Sequence, residues 1–125
     1  MSKLLYLLGD ADRVREGIDR LLLRGKLEEL KVFSTALTVA IAELVKAFEL
    51  EMDAETLMAG GDDVLFCVAE EKYSPESHLK IVTHFYESTG CRISFGIASN
   101  LPIAYINLRR AKAEKTGICA EESIH

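Results

Sequence analysis

The chain has 125 residues, of which 49% are hydrophobic and 28% charged, with a formal net charge of -5. That size suits a single domain over residues 1–125 that buries a core without a disulfide or metal staple, and the composition excludes a disordered chain. With 20 Asp and Glu against 15 Lys and Arg, it also excludes a protein that coats a polynucleotide through a broad basic face, though not a local nucleotide site.

In chain order, residues 3–8 form a short apolar run closed by Gly9, which reads as a buried strand. The run is far shorter than the roughly 20 residues of a membrane span. It passes into Gly9-Asp10-Ala11-Asp12 with no small-residue cleavage pattern, so no leader is expected. The expectation is a cytoplasmic protein with no membrane partner.

From Asp12 the period changes. Val14, Ile18, Leu21 and Leu22 share one helical face, with Gly25 placed to stop the helix. Leu30, Phe33, Leu37, Ile41, Leu44 and Phe48 then step by three or four residues through a second, longer helix. Two short strands at 56–58 and 64–68 flank Ala59-Gly60-Gly61-Asp62-Asp63, a hairpin with a five-residue loop.

Ser74 offers an N-cap with Pro75 at the first helical position, and Gly90 ends that helix. Leu79, Val82, Phe85 and Tyr86 are its expected apolar face. Residues 92–98 alternate as a strand around Ile93, Phe95 and Ile97. Pro102 opens a last helix carrying Ala104, Leu108 and Ala111, ending near Gly117, and residues 118–125 are a short edge strand or loose.

Cys67, Cys91 and Cys119 are odd in number and widely spaced, as reduced core thiols are. His78, His84 and His125 form no ligand cluster, and a helical histidine such as His84 belongs at or near the surface.

The element order is βααββαβα. With its early helices taken as one crossover it begins βαββαβ, so the expected class is α+β: a ferredoxin-like antiparallel sheet with helices packed on it. In that topology the third strand lies between the first and second. The end of the first strand, with Asp10 and Asp12, therefore meets the start of the third, with Asp62 and Asp63.

Carboxylates so gathered repel unless a cation sits among them. Mg²⁺ or Mn²⁺, held by carboxylate and backbone oxygens, suits that role, and two such ions could serve an in-line phosphoryl displacement. Glycines at 60 and 61 let a nucleotide approach the hairpin backbone. Gly-Gly-Asp-Asp is also ordinary turn composition, and Asp12 is as well placed to cap the first helix as to bind metal. In the last helix Arg109, Arg110, Lys112 and Lys115 are either partners for triphosphate oxygens or a solvated basic end.

Residues 57–66, Leu-Met-Ala-Gly-Gly-Asp-Asp-Val-Leu-Phe, resemble the GGDEF/GGDD hairpin of diguanylate cyclases and of the Cas10 polymerase palm. Asp10-Ala11-Asp12 after an apolar strand resembles their first metal-binding motif. Residues 93–98, followed by a helix with Ala111-Lys112 and then Gly117, resemble their last strand and phosphate-contacting helix. A chain of this length with GGDD looks most like the minimal CRISPR polymerase family.

That resemblance implies a palm-fold nucleotidyltransferase that makes a cyclic di- or oligonucleotide from ATP in prokaryotic antiviral defence, acting as a homodimer or larger assembly. It implies catalytic Asp10, Asp62 and Asp63, and a metal set of Asp10, Ala11, Asp12, Asp62 and Asp63. The nucleotide set is Gly9, Gly60, Gly61, Ser34, Arg109, Lys112 and Lys115. Asp63-Val64 stands where diguanylate cyclases have Glu-Phe, which does not favour cyclic di-GMP as product. The alternatives are a catalytically silent nucleotide-binding sensor and a ferredoxin-like interaction module. Ser34 and Asn107 are the polar candidates for reading the base.

Overall fold

In the computed structural model, which describes residues 3–120, the first apolar run forms β1 (Leu4–Ala11) and continues three residues past Leu8. Helices α1 (Val14–Leu23) and α2 (Leu27–Met52) follow. The hairpin strands are β2 (Glu55–Gly60) and β3 (Asp63–Ala69), and a short 3-10 turn (Glu70–Lys72) leads to α3 (Pro75–Thr89). Then come β4 (Ile93–Ala98), α4 (Leu101–Glu114) and β5 (Ile118–Ala120). The five strands form one sheet in the order β2-β3-β1-β4-β5.

This is the α+β, ferredoxin-like arrangement expected from the element order. The first four strands are antiparallel. β5, read from the sequence as a short edge strand or loose, is an edge strand that pairs parallel to β4. The reason is the crossover: α4 carries the chain back along β4, so the next strand must start where β4 started. Of the tail, residues 121–125 lie outside the described residues.

Pleat alternation fixes the core. Val64, Phe66 and Val68 of β3 are buried on one face, with Leu65, Cys67 and Ala69 half-buried on the other. Leu5 and Leu7 of β1 stand opposite Val68 and Phe66 on the buried face. Phe48 of α2 stacks on Phe66 with ring centroids 4.5 Å apart and lies 5.6 Å from Phe95 of β4. Each of these wholly buried rings contributes about 2–3 kcal/mol by leaving water.

The helix signals hold at α3, where the Ser74 hydroxyl accepts from the Ser77 N–H (3.1 Å) and Gly90 closes the helix at φ 74°. Its buried face is rotated from the expected one. His78, Ile81 and Phe85 face inward, whereas Leu79 and Tyr86 are exposed. The shift comes from His78, a polar residue by type that is wholly buried, with Nδ1 2.7 Å from the Tyr73 hydroxyl and its ring edge-on to Phe95. Burial pushes the His78 pKa down to about 4, so the imidazole is neutral. On α1 only Val14 is buried, and Leu22 and Leu23 face outward.

Candidate active site

The hairpin that carries Asp62 and Asp63 is tighter than its composition suggested. Gly60 and Asp63 lie in the strands, leaving Gly61-Asp62 as a two-residue turn instead of a five-residue loop. Gly61 sits at φ 56°, the positive value that the first position of such primed turns requires and that glycine adopts without strain. Asp63 is therefore held on the sheet, and Asp62 at the turn.

Because β1 runs on to Ala11, Asp10 falls in register opposite Asp63 on one side and Ser94 of β4 on the other. The turn is tied to β1 by the Ala11 N–H, which donates to the Asp62 carbonyl (2.9 Å). Asp10, Asp62 and Asp63 each place a carboxylate oxygen within 4.8 Å of the others.

Burial and then the neighbouring Asp10 carboxylate push the Asp63 pKa up to about 6, with Asp62 adding to the rise and Lys112 opposing it. Three hard oxygen donors at this spacing fit a hard divalent cation such as Mg²⁺ or Mn²⁺.

Asp12 is placed differently. It is outside that trio of ligand atoms, and it does not cap α1, whose N-cap residue is Arg13 in a left-handed conformation (φ 60°) without a side-chain cap. Its carboxylate receives the Lys112 ammonium at 2.5 Å and hydrogen bonds from the Ser94 hydroxyl at 2.9 and 3.2 Å. The Asp12 N–H donates to the Arg92 carbonyl (2.7 Å), which anchors the residue beside β4.

Lys112 also reaches Asp10, 3.2 Å from its carboxylate and 3.4 Å from its carbonyl oxygen. Burial pulls the Lys112 pKa down, but Asp12 and Asp10 outweigh it and the net shift is upward, so the ammonium stays charged.

The remaining expected residues fall in several places. Ala11 is buried, with its N–H committed to Asp62. Gly9 faces the core, where a Cβ would meet the Phe95 ring at 2.6 Å. Gly60 and Gly61 border open space, with nothing within 4 Å of where a Cβ would stand. Arg109 and Lys115, one turn either side of Lys112, are exposed on α4 and at its end. Ser34 is exposed on α2, with its carbonyl bonded by the Thr38 hydroxyl (3.0 Å). Asn107 is wholly buried and donates to the Ile97 carbonyl (3.0 Å), a packing role that turns it away from any base.

Ser94 escaped the sequence reading. Its signal was a hydroxyl in an otherwise apolar strand whose register puts it beside Asp10.

A family model of the minimal CRISPR polymerase domain matches residues 6–121. Among curated proteins none matches the sequence. Two solved structures of a Csm1-Csm4 cassette, one in complex with cA4 and one with a single ATP, share 20% identity with the chain. They give TM-scores of 0.65 and 0.66 and cover 89% and 90% of it. The chain spans only 19% of the length of either. The guanylyl cyclase domain of the RhoGC fusion protein from the aquatic fungus Blastocladiella emersonii matches at 12% identity and a TM-score of 0.51. That match covers 78% of this chain and 57% of that one. At these identities the structural likeness establishes the fold.

Proposed function

The chain belongs to the minimal CRISPR polymerase family, and on that premise we propose that it is a nucleotidyltransferase joining nucleoside triphosphates, ATP first among them, into a cyclic di- or oligonucleotide. One observation carries this reading: two adjacent strands bring the carboxylates of Asp10, Asp62 and Asp63 to within 4.8 Å of one another beside an open glycine hairpin. The Csm1-Csm4 cassettes that share the fold hold cA4 and ATP, which supports an adenine nucleotide as substrate.

Asp10, Asp62 and Asp63 are the residues that hold Mg²⁺ or Mn²⁺. Such a cation supplies Lewis-acid polarisation of the phosphate and lowers the pKa of the attacking hydroxyl. Gly60 and Gly61 leave the hairpin backbone open to the triphosphate. Lys112 meets its non-bridging oxygens as a point charge, with the planar guanidinium of Arg109 one turn before it on α4 and Lys115 at the helix end adding further cations. In the reaction a ribose hydroxyl oxygen bonds to the α-phosphorus, the bond from that phosphorus to the pyrophosphate oxygen breaks, and the hydroxyl proton passes to solvent.

Residues 1–125 act in this reading as one catalytic unit. Joining two nucleotides requires two sites to face each other, so the working form is a homodimer or larger homo-oligomer, in the cytoplasm and in antiviral defence. Among the described residues no helix is long and apolar enough to cross a membrane.

The test is pyrophosphate release from each nucleoside triphosphate with Mg²⁺ or Mn²⁺, by the wild type and by Asp62→Ala/Asp63→Ala. Release by the wild type alone supports the reading. Nucleotide binding with no release by either protein would identify a silent sensor instead.

A further inference from the structure

Lys112 and Asp12 form an ion pair that lies against the carboxylate trio without belonging to it. The two side chains are 26% and 29% exposed, and Asp10, which Lys112 also touches, is 32% exposed. Charges this sheltered interact more strongly than surface pairs do. Ser94, 2% exposed, spends its hydroxyl on both oxygens of the Asp12 carboxylate. Together with the Asp12 N–H bond to the Arg92 carbonyl, this holds Asp12 from two sides. What is positioned is the Lys112 ammonium, between Asp12 and the flank of Asp10.

We propose that Asp12, oriented by Ser94, is a positioning residue for Lys112 and not a metal ligand, and that the pair sets the divalent-cation affinity of the trio through its charge. Asp12 neutralises an ammonium that would otherwise repel a cation at Asp10. Lys112 neutralises a carboxylate that would otherwise draw one in. This rests on the metal reading of the trio given above, and it assigns Asp12 a role distinct from both ligation and helix capping.

The consequence is a charge cancellation. Without nucleotide, Lys112→Gln leaves Asp12 uncompensated and tightens Mn²⁺ binding. Asp12→Asn leaves Lys112 uncompensated and weakens it. Each change is of the order of tenfold for one unit charge several ångströms away in a partly screened site. The double variant restores neutrality, so its affinity returns to within about threefold of wild type.

The experiment is calorimetric titration of Mn²⁺ alone into the wild type, the two single variants and the double, each with its unfolding midpoint measured. Asp12→Ser and Lys112→Met serve as a second pair if either first variant fails to fold. Opposite single effects that cancel in the double support the proposal. A double as weak as Asp12→Asn makes Asp12 a direct ligand and overturns it, as does a Lys112→Gln protein that binds Mn²⁺ no more tightly than wild type. A wild type that binds no Mn²⁺ defeats the metal reading of the trio itself and this inference with it, an outcome distinct from both of those.

Discussion

On the β4–α4 side of the carboxylates glycine is filled against, and on the β2–β3 side it faces nothing. A Cβ on Gly96 would run into the backbone of Ala104 and Leu108 in α4, whereas Gly9 belongs to the opposite, core face of the sheet, where its Cβ would meet Phe95. Gly60 and Gly61 have no atom within 4 Å of that position. Glycine thus does two jobs around one site. It lets α4 close on β4 in the seam, and it keeps the hairpin clear in the turn. The seam carries Lys112 and Asp12, already paired; the hairpin carries Asp62 and Asp63, whose charge is unspent. A packed, self-neutralised wall therefore faces an open, acidic one, the asymmetry expected where a cation and an anionic ligand enter from one direction.

The largest break should come on the acidic wall. Asp62→Asn or Asp63→Asn is expected to cut nucleotidyl transfer by roughly a hundredfold or more while leaving the unfolding midpoint of the metal-free protein unchanged or raised. Turnover and thermal melts on the same samples check both halves. A variant that loses activity only because it unfolds would assign these residues to stability.

On the packed wall, Gly96→Ala should cost about 3 kcal/mol or more, since α4 would have to move off β4. Urea unfolding measures this. Gly60→Ala should change stability by no more than about 1 kcal/mol, in the stabilising direction, yet weaken triphosphate binding because its methyl enters the open space. Equal costs at Gly96 and Gly60 would erase the contrast between the two walls.

Acid should separate the site from the core by sign. With its pKa raised to about 6, Asp63 takes up a proton more readily folded than unfolded. It therefore contributes stability at low pH that is lost as pH rises from about 4 through 6. His78, with its pKa lowered to about 4, does the reverse: its contribution is present above about 6.5 and lost as pH falls towards 4. In metal-free melts across pH 4–8, Asp63→Asn should remove the first trend and His78→Gln the second. Divalent cation should also bind more weakly below pH 6, where it competes with the proton on Asp63.

The smallest effect expected is that of Ser94→Ala. All charges remain, but Asp12 is held less firmly, and Mn²⁺ affinity should move by less than about threefold, far less than in either charge variant.

Much of this was legible in the sequence where the signals are local. Ser74-Pro75 and Gly90 bracket α3 because caps act within a turn. The meeting of Asp10 with Asp62 and Asp63 followed from strand order alone, since the split βαβ topology sets the start of the third strand beside the end of the first. Contacts that depend on three-dimensional register were not legible. Ser94 and Asp12 are 82 residues apart, and Lys112 and Asp12 are 100 apart, with no periodicity to link them. The inward turn of α3 was hidden because His78 reads as a surface residue by type and is buried through Tyr73, Phe48 and Phe95. Gly9 was placed with Gly60 and Gly61 in the nucleotide set, whereas the space beside it is taken by Phe95. Residue type cannot tell those two uses of glycine apart.

The central claim, that the Asp10, Asp62 and Asp63 cluster makes this chain a nucleotide-joining enzyme, is tested most directly by chromatography and mass spectrometry of what it makes from ATP with Mg²⁺ or Mn²⁺. The account expects pyrophosphate together with a cyclic adenylate from the wild type, and unconverted ATP from Asp62→Ala/Asp63→Ala. Unconverted ATP from the wild type, repeated with the other three nucleoside triphosphates and with their mixture, would contradict it.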